Sequence, residues 1–157
     1  MAHEQRSNPP VVATDKKRSV CVILAYNCGN VLERTWERIP KEAVDRIILV
    51  DDASTDNTLE EAKRLHIEYY THEHLGYGGN IKYSMRKSIE LGAEYIVDLH
   101  GDGQYDPRAI PAALEKAREG YDLVLGSRFH DIRQPLRDHM PLSRYMANIG
   151  LSTIERM

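Results

Sequence analysis

The sequence predicts an α/β domain: an open, mostly parallel sheet with helices on both faces. Three observations carry that reading. Short runs rich in Val, Ile and Leu alternate with stretches of helical periodicity, as parallel strands joined by crossover helices require. The strand runs are apolar throughout rather than alternating, which suits strands covered on both faces. Two of them end in carboxylates, at Val50-Asp51-Asp52 and at Asp98-Leu-His-Gly-Asp102. In one parallel sheet these ends open on the same edge, where open α/β sheets bind their ligands.

Residues 1–18, with Pro9-Pro10 and Lys16-Lys17-Arg18, read as a flexible leader. The α/β domain spans 19–128, and 129–157 read as a loop and a C-terminal helix. Ser19 to Tyr26 is the first strand. Asn30 is a candidate cap for a helix bearing Leu32, Trp36 and Ile39, which Pro40 stops. Val44 to Val50 is the second strand, and Thr58 with Glu61 has capping-box spacing before the helix of Leu59, Ala62 and Leu65. Ile67 to Tyr70 is a short third strand. The loop Thr71 to Gly79 leads into a helix expected to bury Ile81, Met85 and Ile89 and to end at Gly92.

Tyr95 to Leu99 is the fourth strand. Asp106-Pro107 caps and opens the next helix, marked by Ile110, Leu114 and Ala117 and closed by Gly120. Tyr121 to Leu125 is expected to be a fifth strand. After a polar loop, Leu142, Tyr145, Met146 and Ile149 form an apolar stripe that needs a cover, and it predicts self-association through the C-terminal helix.

Composition narrows the function. The 157 residues are 41% hydrophobic and 29% charged, enough to bury a core. A formal charge of −3, with the two signs interspersed, offers no basic field for nucleic acid. Cys21 and Cys28 lack metal-site spacing and read as reduced intracellular thiols. No apolar run has the roughly 20 residues of a membrane span, and the leader is too polar for a signal peptide. A cytoplasmic protein is expected, with a membrane-face partner allowed.

Residues two apart in extended backbone point the same way, so His100 and Asp102 can converge on one ion, Mg²⁺ or Mn²⁺. The other reading makes them polar residues of a loop. Gly103 beside them permits close approach of a ligand. One of Asp51 and Asp52 can serve the turn at Ser54-Thr55 while the other meets a base or sugar. Asp98, inside an apolar strand, is costly unless paired. The loop Gly76-Tyr-Gly-Gly-Asn80 opens a helix whose amides, with Lys82 within reach, can face an anion. His72-Glu73-His74 reads mainly as a solvated loop. A diphosphate beside Asp102 would be repelled by roughly 3 kcal/mol per pair of unit charges 5 Å apart at a dielectric of 20. A bridging cation removes that barrier.

In order and spacing, Val22-Ile-Leu-Ala-Tyr-Asn27, Ile48-Leu-Val-Asp-Asp-Ala-Ser-Thr-Asp-Asn57, Gly76-Tyr-Gly-Gly-Asn80, His100-Gly-Asp-Gly-Gln-Tyr-Asp-Pro107 and Gly126-Ser-Arg128 resemble the family-two glycosyltransferases, above all dolichol-phosphate mannosyltransferase-like enzymes. The resemblance covers about Ser19 to Arg128. It implies the nucleotide-diphospho-sugar transferase (GT-A, Rossmann-like) fold, truncated here at the C-terminus. The implied reaction is inverting transfer of a sugar from a UDP- or GDP-linked donor to an acceptor, such as a polyprenyl phosphate, with Mg²⁺ or Mn²⁺ bridging the diphosphate.

By that resemblance Ala25, Tyr26, Asn27, Asp51 and Asp52 frame the nucleobase and ribose. Gly79, Lys82, Gln104 and Arg128 lie near diphosphate or sugar, and Asp102 with His100 holds the metal. The sequence departs from the family pattern in having His100 at the first acid of the Asp-x-Asp motif and Cys28 where a glutamate is frequent. The resemblance assigns no catalytic base to this chain. A different class of function is a non-catalytic module that binds a nucleotide sugar or a partner. A phospho-receiver would need its acid pair after the first strand, and a sugar nucleotidyltransferase would need a glycine-rich loop there; neither is present.

Overall fold

A computed structural model of the protein describes residues 18–126 and Met146. The chain divides into two compact units, Met1–Asp122 and Leu123–Met157. The first holds β1 (Ser19–Ala25), α1 (Gly29–Arg38), β2 (Arg46–Asp51), α2 (Thr58–Arg64), β3 (Glu68–Thr71), α3 (Gly76–Glu90), β4 (Tyr95–His100) and α4 (Ile110–Arg118). The strands form one sheet in the order β3-β2-β1-β4, and every pairing is parallel. This is the predicted α/β architecture.

β1 is buried along its whole length because both neighbours and both faces cover it. Alternate side chains therefore feed two cores. Cys21, Ile23 and Ala25 pack with Leu49, Leu99 and the helix residues Leu32, Ala62, Ile110 and Leu114. Val20, Val22 and Leu24 pack with Ile48 and Val50, and Ile81 and Tyr83 of α3 lie against them. Helices α1, α2 and α4 thus cover one face and α3 the other. Both cysteines are free and buried, and burial pushes their thiols up, to about 12 at Cys21 and about 11 at Cys28.

Several local expectations fail for physical reasons. Helix α3 buries Asn80, Ser84 and Ser88, while Met85 and Ile89 are exposed. The serine hydroxyls bond back to Ile81 O and Ser84 O, so small polar side chains satisfied within the helix let it lie close to the sheet. Asn30 does not cap α1, whose preceding residue Cys28 makes no side-chain cap bond. Thr58 is the first residue of α2 instead of its cap. Its hydroxyl donates to Asp56 and accepts from Cys28 N, and Glu61 pairs with Arg64, so no capping box forms. Residues 121–126 adopt no strand, and Tyr121, Leu123 and Leu125 are exposed. An apolar run becomes a strand only when an edge completes its hydrogen-bond ladder, and among the described residues β4 ends the sheet.

Candidate active site

β1 lies between β2 on one side and β4 on the other, so the connections leave it in opposite directions. That switch point opens a crevice at the carboxyl ends of β1 and β4. Two backbone bonds close its floor: Asp52 N donates to Ala25 O at 3.0 Å and Gly101 N to Leu24 O at 2.8 Å. The acids predicted to share one sheet edge therefore flank the end of β1.

The β2 side is tied down by its own chain. Asp51 is fully buried; Ser54 N donates to its Oδ2 at 3.0 Å, and its Oδ1 has no partner. A buried acceptor without a partner is costly. The Asp52 side chain is 3% exposed; Leu75 N donates to its Oδ1 at 2.7 Å and His74 Nδ1 lies 3.0 Å from its Oδ2, while His72 Nδ1, 2.6 Å from Glu73 O, stands off at 3.6 Å. His72 Nε2 lies 3.1 Å from Asn80 Oδ1, and Asn80 Nδ2 donates to Val50 O. The 72–75 loop is thus stapled to the end of β2 and to α3. His72 and His74, read from sequence as a solvated loop, have separate partners: His74 is the imidazole that meets Asp52, and His72 ties the loop to Asn80.

Ala25 is buried at the end of β1, and Tyr26 is exposed with its ring 4.9 Å from that of His74. Asn27 sits at φ +50°. Its backbone N–H donates to Ser54 Oγ, and its Oδ1 accepts from Thr55 N and Asp56 N. Its amide oxygen thus joins two loops. Burial opposes the charge on Asp56, but hydrogen bonds from Thr58 and Gly29 N hold its carboxyl below the usual range. Gly79 is where α3 packs on its own entry: a Cβ there would lie 2.4 Å from that of Leu75. Lys82 is exposed on the same helix.

The β4 side is open. Asp102 is exposed; Gln104 N donates to its Oδ1 at 3.0 Å, leaving the other oxygen for an outside partner. Gln104 is exposed beside it. His100 Nε2 lies 3.2 Å from the Tyr77 hydroxyl, and Tyr105 meets the imidazole edge-on at 4.8 Å. One ring nitrogen is therefore engaged, leaving Nδ1 as the free donor atom. Nothing in the sequence marked Tyr77 or Tyr105 as companions of His100. Asp98 lies exposed on β4, where partial desolvation raises its carboxyl above the usual range and His100 draws it back. Asp106 caps the turn at Pro107–Ala109, as expected, by accepting from Arg108 N.

No group of three or more His, Cys, Asp or Glu converges on a common point among the described residues. One open carboxylate and one half-engaged imidazole fit a hard divalent ion that draws most of its oxygen ligands from substrate and water. Ser127 and Arg128 lie outside the described residues, as do residues 1–17 of the leader and, apart from Met146, the stripe beginning at Leu142.

The profile of the family "Glycosyl transferase family 2" matches residues 20–155. The chain belongs to this family. Its family 2 relatives include the UDP-N-acetylglucosamine–dolichyl-phosphate N-acetylglucosaminyltransferase of Methanococcus voltae, 31% identical over 85% of this chain and 60% of that protein. The dolichol-phosphate mannosyltransferase of Pyrococcus furiosus is 26% identical over 87% of this chain and 40% of its own length. Among solved structures, S. aureus TarS 1–349 superposes with a TM-score of 0.51 at 18% identity, over 73% of this chain and 40% of that one. That likeness bears on the fold alone, and with the parallel sheet it supports the expected GT-A architecture. The chain spans 60% of the first of these relatives and 40% of the second.

Proposed function

We propose that this chain is the donor-binding portion of an inverting glycosyltransferase. It would take a UDP- or GDP-linked sugar and pass the sugar to a polyprenyl phosphate at the cytoplasmic face of a membrane. The observation that carries the reading is the pairing of two acidic strand ends, Asp51-Asp52 and Asp102, on either side of the switch point. The names of the two dolichyl-phosphate relatives favour a lipid phosphate acceptor. No helix among the described residues is long and apolar enough to cross a membrane, so the lipid would be met at a surface.

In this reading the base and ribose lie against Ala25, Tyr26 and the Asp51-Asp52 end, where the unpartnered Asp51 Oδ1 offers acceptor capacity. The diphosphate extends past Gly79 and Lys82 toward Gln104 and Asp102. Asp102, with His100 Nδ1, would hold Mg²⁺ or Mn²⁺. When bound, that ion would offset the charge developing on the departing diphosphate. An acceptor phosphate oxygen forms the new bond at the anomeric carbon from the face opposite the diphosphate. The bond from that carbon to the diphosphate oxygen breaks with its electron pair, so configuration inverts. A phosphate oxygen is already anionic and needs no general base.

Calorimetric titration of the 157-residue protein with UDP and GDP, with and without Mn²⁺, tests the proposal. Binding that requires metal and disappears in Asp102→Ala is expected, with the fold unchanged because Asp102 is exposed. Equally tight binding without metal, or binding that survives Asp102→Ala, would overturn the metal-bridged reading.

A further inference from the structure

We infer that His74, held in place by Asp52, reads the edge of the donor's base and selects a base that carries a ring N–H. The inference deepens the donor-site reading and rests on it. Asp52 is the family-like candidate for contacting the nucleoside, but its side chain is 3% exposed, Leu75 N donates to its Oδ1 and His74 Nδ1 lies 3.0 Å from its Oδ2. To face a ligand it would have to break the clamp that holds the 72–75 loop. His74, 56% exposed, is the part of that network that reaches solvent.

Its orientation is decided by its partners. His74 Nδ1 lies 3.0 Å from Asp52 Oδ2 and 3.1 Å from Asp52 O. Both are acceptors, so Nδ1 carries the hydrogen, and the tautomer this fixes presents Nε2 as an acceptor. The ring lies 4.9 Å from Tyr26 at 32°, and Tyr26 is itself 52% exposed where β1 opens onto the crevice. A directed acceptor beside an aromatic face suits a planar heterocycle with a donor on its edge. Uracil N3 and guanine N1 carry such a hydrogen. Cytosine N3 and adenine N1 present a lone pair instead, and two acceptors facing each other leave both unsatisfied. Asp52 is thus a positioning residue, and His74 is the residue that discriminates.

The test is calorimetry with UDP, GDP, CDP and ADP in the presence of Mn²⁺, on the unaltered protein, His74→Ala and His74→Gln. A uracil or guanine nucleotide is expected to bind at least about tenfold more tightly than CDP and ADP, the worth of one hydrogen bond. His74→Ala should bring the four within about threefold of one another, the directed acceptor being lost. In His74→Gln the amide oxygen stands near the place of Nε2 and should restore much of the preference. Nitrogen-15 NMR of the imidazoles, with the His74 signals identified by their loss in His74→Ala, should show hydrogen on Nδ1. Asp52→Asn, which keeps the backbone acceptor Asp52 O, should leave hydrogen on Nδ1. A base preference unmoved by His74→Ala, or hydrogen on Nε2 in the unaltered protein, would overturn this inference and leave the donor site standing. Failure of the folded protein to bind any of the four would remove the donor site itself.

Discussion

The two acidic strand ends are built from similar residues and treated in opposite ways. At the end of β2, Asp51 and Asp52 are buried and held by Ser54 N, Leu75 N and the His74 imidazole. At the end of β4, Asp102 is exposed and, among the described residues, bonded through one oxygen to Gln104 N, and Asp106 caps its own turn. One end spends its carboxylates on shaping the loop that carries His74. The other leaves a carboxylate oxygen available to a cation. A carboxylate at the ligand edge of a sheet is therefore no guide to its role until its partners are known.

The largest expected effect comes from breaking the closed end. Asp52→Ala removes the acceptor of the Leu75 amide at a nearly dry site and the carboxylate beside His74, and should lower the unfolding free energy by about 3 kcal/mol. Denaturant melts would measure it. Asp102→Ala in the same experiment should stay within about 0.5 kcal/mol of the unaltered protein; equal losses at the two positions would erase the contrast drawn here.

The joint between the two ends gives an intermediate effect. Gly101 follows β4, and a Cβ there would lie 2.8 Å from Cys28 Sγ and 3.0 Å from Leu24 O. Gly101→Ala should cost about 1–3 kcal/mol by overpacking and weaken nucleotide binding, because it pushes the open end away from β1. A thermal melt paired with a UDP or GDP titration would follow both quantities.

The smallest effect is the pH response of the open end. The Arg108 guanidinium beside Asp106 holds its carboxyl down at about 2, against partial desolvation, and Arg38 adds a second ion pair at 3.1 Å. A carboxyl depressed by folding stabilises above its unfolded value, near 3.9, and that stability is lost as pH falls toward 2. Asp106 is 42% exposed, so solvent screening limits the contribution to at most about 1 kcal/mol. Melts of Asp106→Asn and the unaltered protein should differ slightly at neutral pH and converge near pH 2; a constant difference across that window would show that the ion pairs are immaterial.

Much of the frame was legible because it rests on local chemistry. Continuous Ile and Val runs marked β1, β2 and β4, Pro40 ended α1, and Asp106-Pro107 opened the turn before α4. The acidic ends of β2 and β4 were legible as a shared edge because parallel strands must align their carboxyl ends. The face of α3 was not. Periodicity pointed to Ile81, Met85 and Ile89, yet Asn80, Ser84 and Ser88 are buried, because closeness to the sheet favours small side chains whose hydroxyls bond within the helix. Tyr121 to Leu125 had a strand's composition and no ladder to join.

Residue order alone settled the alternation of strands and helices, the parallel sheet and the family motifs, since each follows from near neighbours in the chain. Which acid is locked and which is open was decided only by the folded arrangement. His74 is 22 residues from Asp52 and Tyr77 is 23 from His100, so no local pattern registers those meetings. They exist because the sheet order places β1 between β2 and β4 and brings the start of α3 to the crevice. A carboxylate's role follows from whichever donors the fold delivers to it.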